Sequence, residues 1–178
     1  NNLRNGGIII MKKFKGFTLI ELIVVIAIIG VLAAILVPSM FGYVKKAKIQ
    51  GANTDASTLH KAIVAYIDDL FFEDAPIISE GTHNIKGNIL DNTGNQITDF
   101  KKDMEQYFSD IDKIDAAFYI KSGECVAVAV QNKNYYGSFP TFLSSKNFES
   151  YSATMSCVED AVKQAVITNK IETADNIK

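Results

Sequence analysis

The chain has 178 residues, of which 48% are hydrophobic and 21% are charged, which excludes a disordered or collagen-like polypeptide. Its two cysteines exclude a disulfide-dense miniprotein, and a four-ligand zinc site would have to use both cysteines and both histidines. The formal net charge of -2 argues against a strongly basic nucleic-acid binder.

Charge is distributed unevenly along the chain. Residues 1–60 carry seven Lys or Arg and two acidic residues, whereas residues 61–178 carry eleven Lys and eighteen acidic residues. A basic, apolar N-terminal part therefore precedes an acidic C-terminal part. Since phosphate binding requires clustered Lys and Arg, we expect no direct nucleic-acid partner.

A long apolar run dominates the N-terminal part. Residues 17–44 contain one charged residue, Glu21, and residues 22–44 contain none. As a helix, that uncharged run is about 34 Å long at 1.5 Å per residue, enough to cross a hydrocarbon core of about 30 Å. Lysines flank it on both sides, and the short basic N-terminal flank predicts a cytoplasmic N-terminus and an exported C-terminal part.

Two ordinary membrane segments fit this run less well. A cleaved secretory signal has a shorter apolar stretch and a small-residue cleavage site, which is missing before Lys45. A plain signal anchor does not explain Glu21, because a charge at mid-membrane costs about 2.5–3.5 kcal/mol on insertion scales. Glu21 is therefore a candidate functional residue.

The motif around Glu21 resembles a known one. The sequence Lys15-Gly16-Phe17-Thr18-Leu19-Ile20-Glu21-Leu22, continued by an apolar run to Val37 and by Pro38, is similar to the processing motif and N-terminal helix of type IV pilins. That superfamily includes type II secretion pseudopilins and competence pilins. The resemblance runs from the basic leader to Pro38, and the downstream sequence gives no comparable match.

The resemblance implies roles for four residues. A prepilin peptidase would cut after Gly16 on the cytoplasmic side and methylate Phe17 as the new N-terminus. The carboxylate of Glu21 would neutralise the amine of Phe17 on a neighbouring subunit; the alternative is an unpartnered glutamate near the interface. Pro38 would act in assembly as a hinge, or alternatively as a tolerated kink in a lipid-facing helix.

Met11 begins a compact basic leader that ends at Gly16. We hypothesise that residues 1–10 are upstream sequence that is not translated. Peptides from residues 1–10 in a digest of the uncleaved precursor would refute this hypothesis.

An amphipathic pattern continues the helix beyond the apolar run. Apolar residues recur at steps of three and four and form one stripe, which predicts a first helix from about 17 to 70: Ile49, Ala52, Ala56, Leu59, Ile63, Ile67 and Leu70. Gly51 and the segment 53–55 are weak points at which the helix could bend.

The remaining sequence predicts a small mixed domain. We expect short strands at 84–90 and 96–99 around a turn at 91–95, a helical stretch over 100–111, a hairpin of 116–121 with 124–131, and a C-terminal helix after a Ser156–Glu159 capping box. The aromatic segment 132–140 is either an exposed contact loop or part of the core. The predicted fold class is α+β: a long N-terminal α-helix, with a hydrophobic and an amphipathic half, packs on a small antiparallel β-sheet head with an additional C-terminal helix.

The second hairpin strand has two apolar faces. Val126, Val128 and Val130 alternate with Cys125, Ala127 and Ala129. The small face leaves room for the C-terminal helix, in whose first turn Cys157 lies. We therefore predict a Cys125–Cys157 disulfide, which an exported domain permits; the alternative is two buried free thiols.

No motif indicates catalysis, and the chain is predicted not to be an enzyme. We expect no cofactor and no bound metal, since acidic residues such as Asp110, Asp112 and Asp115 near a helix end are usually only solvated. The predicted domains are a cleaved leader (1–16), a hydrophobic transmembrane and assembly helix (17–44), its amphipathic continuation (45–72) and a globular α+β head (73–178).

The resemblance implies a structural subunit of a type IV pilus that polymerises with copies of itself into a surface filament for adhesion, motility or aggregation. The other partners would be the prepilin peptidase, the inner-membrane assembly platform and, before assembly, membrane lipid. The subunit would cross the bacterial cytoplasmic membrane once, with its head outside, before entering an extracellular pilus. The alternative is a minor or competence-type pilin, or a type II secretion pseudopilin, acting as a low-copy binding or priming subunit.

Overall fold

A computed structural model describes residues 16–144, 147, 155–172, 174 and 177. The leader residues 1–15, and with them the hypothesis on residues 1–10, lie outside the described residues. Backbone contacts divide the chain into a first unit that ends at Phe41 and a second unit, Gly42–Lys178.

The first helix, α1, runs from Leu19 to Phe72, in agreement with the predicted helix. Its residues up to Phe41 belong to the first unit and are exposed. In the second unit one face of α1 is buried, and it includes the predicted stripe apart from the partly buried Leu70. The buried residues are Ile49, Ala52, Asn53, Ala56, Leu59, Ala62, Ile63, Tyr66 and Ile67.

Four antiparallel strands form one sheet in the order β1-β2-β3-β4. They are β1 (Gly81–Asn84), β2 (Asp115–Lys121), β3 (Glu124–Asn132) and β4 (Tyr135–Phe139). The predicted hairpin is confirmed as β2–β3. Of the two alternatives for the aromatic segment, the core one is confirmed: β4 pairs along β3 at one edge of the sheet, and its Tyr136 and Ser138 are buried.

The predicted strands 84–90 and 96–99 are wrong. Strand β1 ends at Asn84, whose carbonyl accepts from the Gly87 amide (2.9 Å) and closes a turn there. Between 85 and 99 the chain forms only isolated bridges, such as Leu90 with Gln96. The predicted turn at 91–95 is present, since Asp91 Oδ1 accepts from the backbone amides of Thr93 and Asn95.

The helical segments of the head are shorter than predicted at 100–111. Helix α2 covers Phe100–Met104, and a separate 3-10 helix covers Ile111–Lys113. The C-terminal helix, α3, is Val158–Thr168. The amide and hydroxyl of Ser156 both donate hydrogen bonds to Asp160 Oδ2. The acidic partner of Ser156 is therefore Asp160 and not the predicted Glu159, one residue earlier.

The sheet lies between two helices, which is the predicted α+β architecture. One core joins α1 to the sheet face that carries Ala116, Phe118 and Val130. The second core joins α3 to the opposite face, which carries Ala117 and Ala129. Because both faces are covered, β2 and β3 are apolar on both sides, as the sequence of β3 suggested.

The disulfide predicted between Cys125 and Cys157 is not formed, and both cysteines are free. The pairing register shifts between Tyr119 and Ile120, which oppose Ala127 and Cys125, so Val126 is an extra residue in β3. This bulge reverses the alternation beyond it. Cys125 therefore joins the core under α1, whereas Cys157 is the N-cap residue of α3, which packs on the other face of the sheet.

A close approach fixes β4 against α1. A Cβ built on Gly137 would lie 2.0 Å from the carbonyl carbon of Ala52 and 2.3 Å from the amide nitrogen of Asn53. The buried Asn53 side chain occupies the same junction: its Oδ1 accepts from the Ser138 amide (2.9 Å), and its Nδ2 donates to the Leu143 carbonyl (3.1 Å). Asn53 thus holds α1 to β4 and to the segment after it, and it is not the weak point that the sequence suggested.

Substituting Gly137→Ala should destabilise the second unit by about 3 kcal/mol or more, because the new methyl group overlaps backbone that cannot rotate away. Urea unfolding of the detergent-solubilised chain measures this. Gly51→Ala is the matched control: its Cβ meets nothing within 4 Å, so it should stabilise exposed helix by up to about 1 kcal/mol. Equal stability of the two variants would contradict the close approach.

Both histidines are partly or wholly buried in the second unit. His83 Nε2 lies 2.7 Å from the Ser79 carbonyl, and its ring stacks on Phe118. His60 Nε2 lies 2.8 Å from the Cys125 carbonyl. Burial lowers the pKa of each imidazole below its ordinary value, since it disfavours the charged form.

The stability of the head should therefore depend on pH in the range of histidine titration. Because the pKa values are lower in the folded chain, the unfolded chain takes up protons first as the pH falls below about 6.5. The free energy of unfolding should be highest above that pH and decrease below it. Urea midpoints at a series of pH values test this, with His83→Gln expected to show a shallower decrease; a wild-type midpoint that rises on acidification would contradict it.

Candidate processing and assembly site

The N-terminus of α1 is closed by a reciprocal capping box. The Thr18 amide and hydroxyl both donate to Glu21 Oε2 at 2.8 Å, and the Glu21 amide donates to the Thr18 hydroxyl at 3.3 Å. Helix α1 begins at the next residue, Leu19. A negative charge is favourable here because the first turn has unpaired amides and a positive dipole end. Glu21 is thus bonded within its own chain, an arrangement that the sequence reading missed although Thr-x-x-Glu signals it.

Gly16 and Phe17 precede this cap and lie outside the helix. A Cβ on Gly16 would meet nothing within 4 Å, and Phe17 is 82% exposed. An open hollow of about 300 Å³ is bordered by Phe17, Glu21 and three apolar residues of the next turns. Among the described residues, nothing crowds the position of a Gly16 Cβ, and the Glu21 carboxylate lies beside apolar side chains.

An apolar surface extends from Phe17 to Val44. Every large apolar side chain in this stretch is 45–82% exposed in the single chain. Exposed apolar patches of soluble monomers rarely exceed a few hundred Å², so this surface needs lipid or protein to cover it. Within the described part of the chain, α1 is the helix that is long and apolar enough to cross a membrane by length and composition.

Pro38 lies inside α1 and cannot donate a hydrogen bond to the preceding turn. The hydroxyl of Ser39, the residue after the proline, donates to the Leu36 carbonyl at 2.8 Å. Neighbouring Gly30 and Gly42 have open space where a Cβ would be. These features leave the helix locally weakened, and a hinge at Pro38 stays a prediction.

The acidic residues considered as a metal site do not converge. Asp110, Asp112 and Asp115 pair with three different lysines, Lys113, Lys101 and Lys86, at 2.8, 3.6 and 3.2 Å. Among the described residues, no group of three His, Cys, Asp or Glu side chains is arranged to hold a metal ion. Burial raises the pKa of the Cys125 thiol to about 12, so this thiol is a poor nucleophile.

Comparison with known proteins gives a family match in this N-terminal segment and several similar relatives. A family profile described as the prokaryotic N-terminal methylation motif matches residues 11–37. The type IV major alpha-pilin of Moraxella bovis is 40% identical over 79 residues, 44% of this chain and 48% of that protein. A fimbrial protein of Pseudomonas aeruginosa is 36% identical over 102 residues, 51% of this chain and 64% of its own length.

A secretion protein shows a similar match. The type II secretion system core protein G of Vibrio cholerae is 45% identical over 56 residues, which is 32% of this chain and 38% of that protein. The chain thus spans about half the length of these curated relatives. No solved structure matches the chain.

Proposed function

Since the chain belongs to the type IV pilin and pseudopilin superfamily, we propose that it is a structural subunit of a type IV pilus. The exposed apolar half of α1, headed by the capped Glu21, is the observation that carries this proposal. Bundling such helices in a filament core removes their apolar surface from lipid and water and leaves the acidic heads outside.

The proposal divides the chain into four parts with separate roles. Residues 1–16 form a leader that a prepilin peptidase removes, and residues 17–44 anchor the subunit in the cytoplasmic membrane and later assemble. Residues 45–72 continue the helix into the head, 73–178, which stands outside the membrane. The assembly platform in the inner membrane would extract the subunit from lipid into the filament.

Processing creates the charge that Glu21 would meet. Hydrolysis of the Gly16–Phe17 bond releases the leader with a carboxylate on Gly16 and leaves Phe17 with an amine, which is protonated and positively charged at neutral pH. A separate transfer of one methyl group from a methyl donor then gives an N-methylated amine that keeps this charge. A carboxylate already held at the helix end by Thr18 costs less to bury once that amine from a neighbouring subunit pairs with it. Subunits in a different axial register would leave both charges unpaired in an apolar bundle, so the pair sets the stagger between helices.

A low-copy role is the second candidate. The match to a type II secretion core protein G favours a pseudopilin, but it covers 56 residues and the helical segment is common to both groups. Minor and competence-type pilins have the same segment. Abundance separates these candidates from a major subunit, because a major subunit dominates the surface filaments.

The experiment that tests the proposal is the intact mass of the protein in a sheared cell-surface fraction. We expect, as a dominant species, a chain that begins at Phe17 with one added methyl group and that has two free thiols. Processed protein found only in membranes would favour the low-copy candidates. An uncleaved chain in the membrane would contradict both and leave an ordinary membrane-anchored domain.

Two substitutions separate the cap from the intersubunit pair. Glu21→Gln keeps a capping side chain but removes the charge, whereas Thr18→Ala keeps the charge and removes the hydroxyl. An unpaired buried amine costs about 3–5 kcal/mol, so Glu21→Gln should be cleaved normally yet give at least a hundredfold less sheared protein. Thr18→Ala loses about 1 kcal/mol of capping and should reduce shear yield only severalfold. Normal assembly of Glu21→Gln protein would refute the pairing role.

A further inference from the structure

A polar hollow of about 330 Å³ lies where α1 leaves the uncharged run and meets the turn between β3 and β4. It belongs entirely to the second unit. Two lysines reach it from separate elements, Lys48 from α1 and Lys133 from the turn. The lining residues are Lys48, Gly51, Asn132, Lys133, Asn134 and Tyr135.

The hollow has an excess of positive charge. Among the described residues neither Lys48 nor Lys133 forms an ion pair, and Lys48 Nζ lies over the Tyr135 ring, 5.3 Å from its centroid. The nearby carboxylate of Asp55 is 3.5 Å from Asn132 Nδ2. Two ammonium groups with neighbouring side-chain amides form a donor set that suits a phosphate group.

The position of the hollow along the chain indicates that the phosphate belongs to a lipid headgroup. Lys48 follows Val44, the last residue of the uncharged run, by four residues, or about 6 Å of helix. Tyr43 at the end of the run is 75% exposed, and tyrosine and lysine are typical of the level of lipid headgroups. Lysines on the exported side oppose the usual charge bias, so they need a function other than orientation.

We propose that, before assembly, this hollow binds the phosphate of an anionic phospholipid in the outer leaflet of the cytoplasmic membrane. The inference rests on the proposed membrane insertion of residues 17–44. Lys48 and Lys133 bind the phosphate oxygens, and Tyr135 packs beside the glycerol. The bound lipid holds the base of the head at the membrane surface, and it has to leave when the subunit enters a filament.

The test uses the full chain in nanodiscs of phosphatidylcholine with or without phosphatidylglycerol. Native mass spectrometry counts the phosphatidylglycerol molecules that each subunit retains after release from the disc. A juxtamembrane lysine contributes about fivefold in affinity for an anionic surface. Retention should therefore fall about fivefold in Lys48→Gln or Lys133→Gln and about 25-fold in the double variant.

Two control variants make the result specific. Lys61→Gln removes the same charge from an exposed position thirteen residues further along α1, and it should retain lipid like the wild type. Replacing Lys48 and Lys133 by arginine conserves the charge and should also preserve retention. Equal loss in the Lys61 variant would overturn the proposal, since it would indicate only general attraction to the surface.

Further outcomes distinguish a lipid headgroup from free phosphate, and they separate failure of this inference from failure of the proposed membrane insertion. If inorganic phosphate added to the detergent-solubilised chain shifts the amide resonances of the 133–134 turn as strongly as phosphatidylglycerol does, the site is one for free phosphate and the lipid proposal is overturned. Insertion without selective retention overturns this inference alone. A chain that does not insert into the disc overturns the membrane anchor and this inference together.

Discussion

The packing of α1 against the sheet is the interaction on which the rest of the head depends. Small residues on one face of the helix allow strand β4 to approach so closely that only a glycine fits at 137. At this distance the edge of β4 faces helix backbone, and Asn53 supplies the hydrogen bonds that a further strand would otherwise make. An aliphatic residue at 53 would leave the Ser138 amide and the Leu143 carbonyl buried without these partners.

Helix α1 has two different patterns of apolar residues along its length. Up to Val44 its apolar residues point in all directions, as in a membrane span, and they remain exposed in the single chain. From Ile49 to Ile67 the buried residues keep to one face, which packs into the head. The change in periodicity marks where the apolar surface that is exposed in the single chain gives way to the folded head. Among the described residues the first half of α1 stays exposed, so its apolar surface needs lipid or protein to cover it.

Patterns within a single element were predictable, whereas features that depend on contacts between elements were not. The period of α1, the β2–β3 hairpin and the stripe of α3 follow from spacing alone. The capping box of Thr18 and Glu21 could also have been predicted, because both residues lie within the same helical turn. The bulge at Val126 could not be predicted, since a strand that is apolar at every position does not indicate where its pairing register shifts. Asn53 looked like part of a weak point at which α1 could bend, because the partners that hold its side chain lie more than eighty residues away.

The bulge at Val126 bears on how the head matures. By turning Cys125 toward α1, it separates the two thiols on opposite faces of the sheet, and the head reaches its packed state without a cross-link. Among the described residues the packing of the head therefore rests on noncovalent contacts on both sides of the sheet, with no covalent link between its two faces.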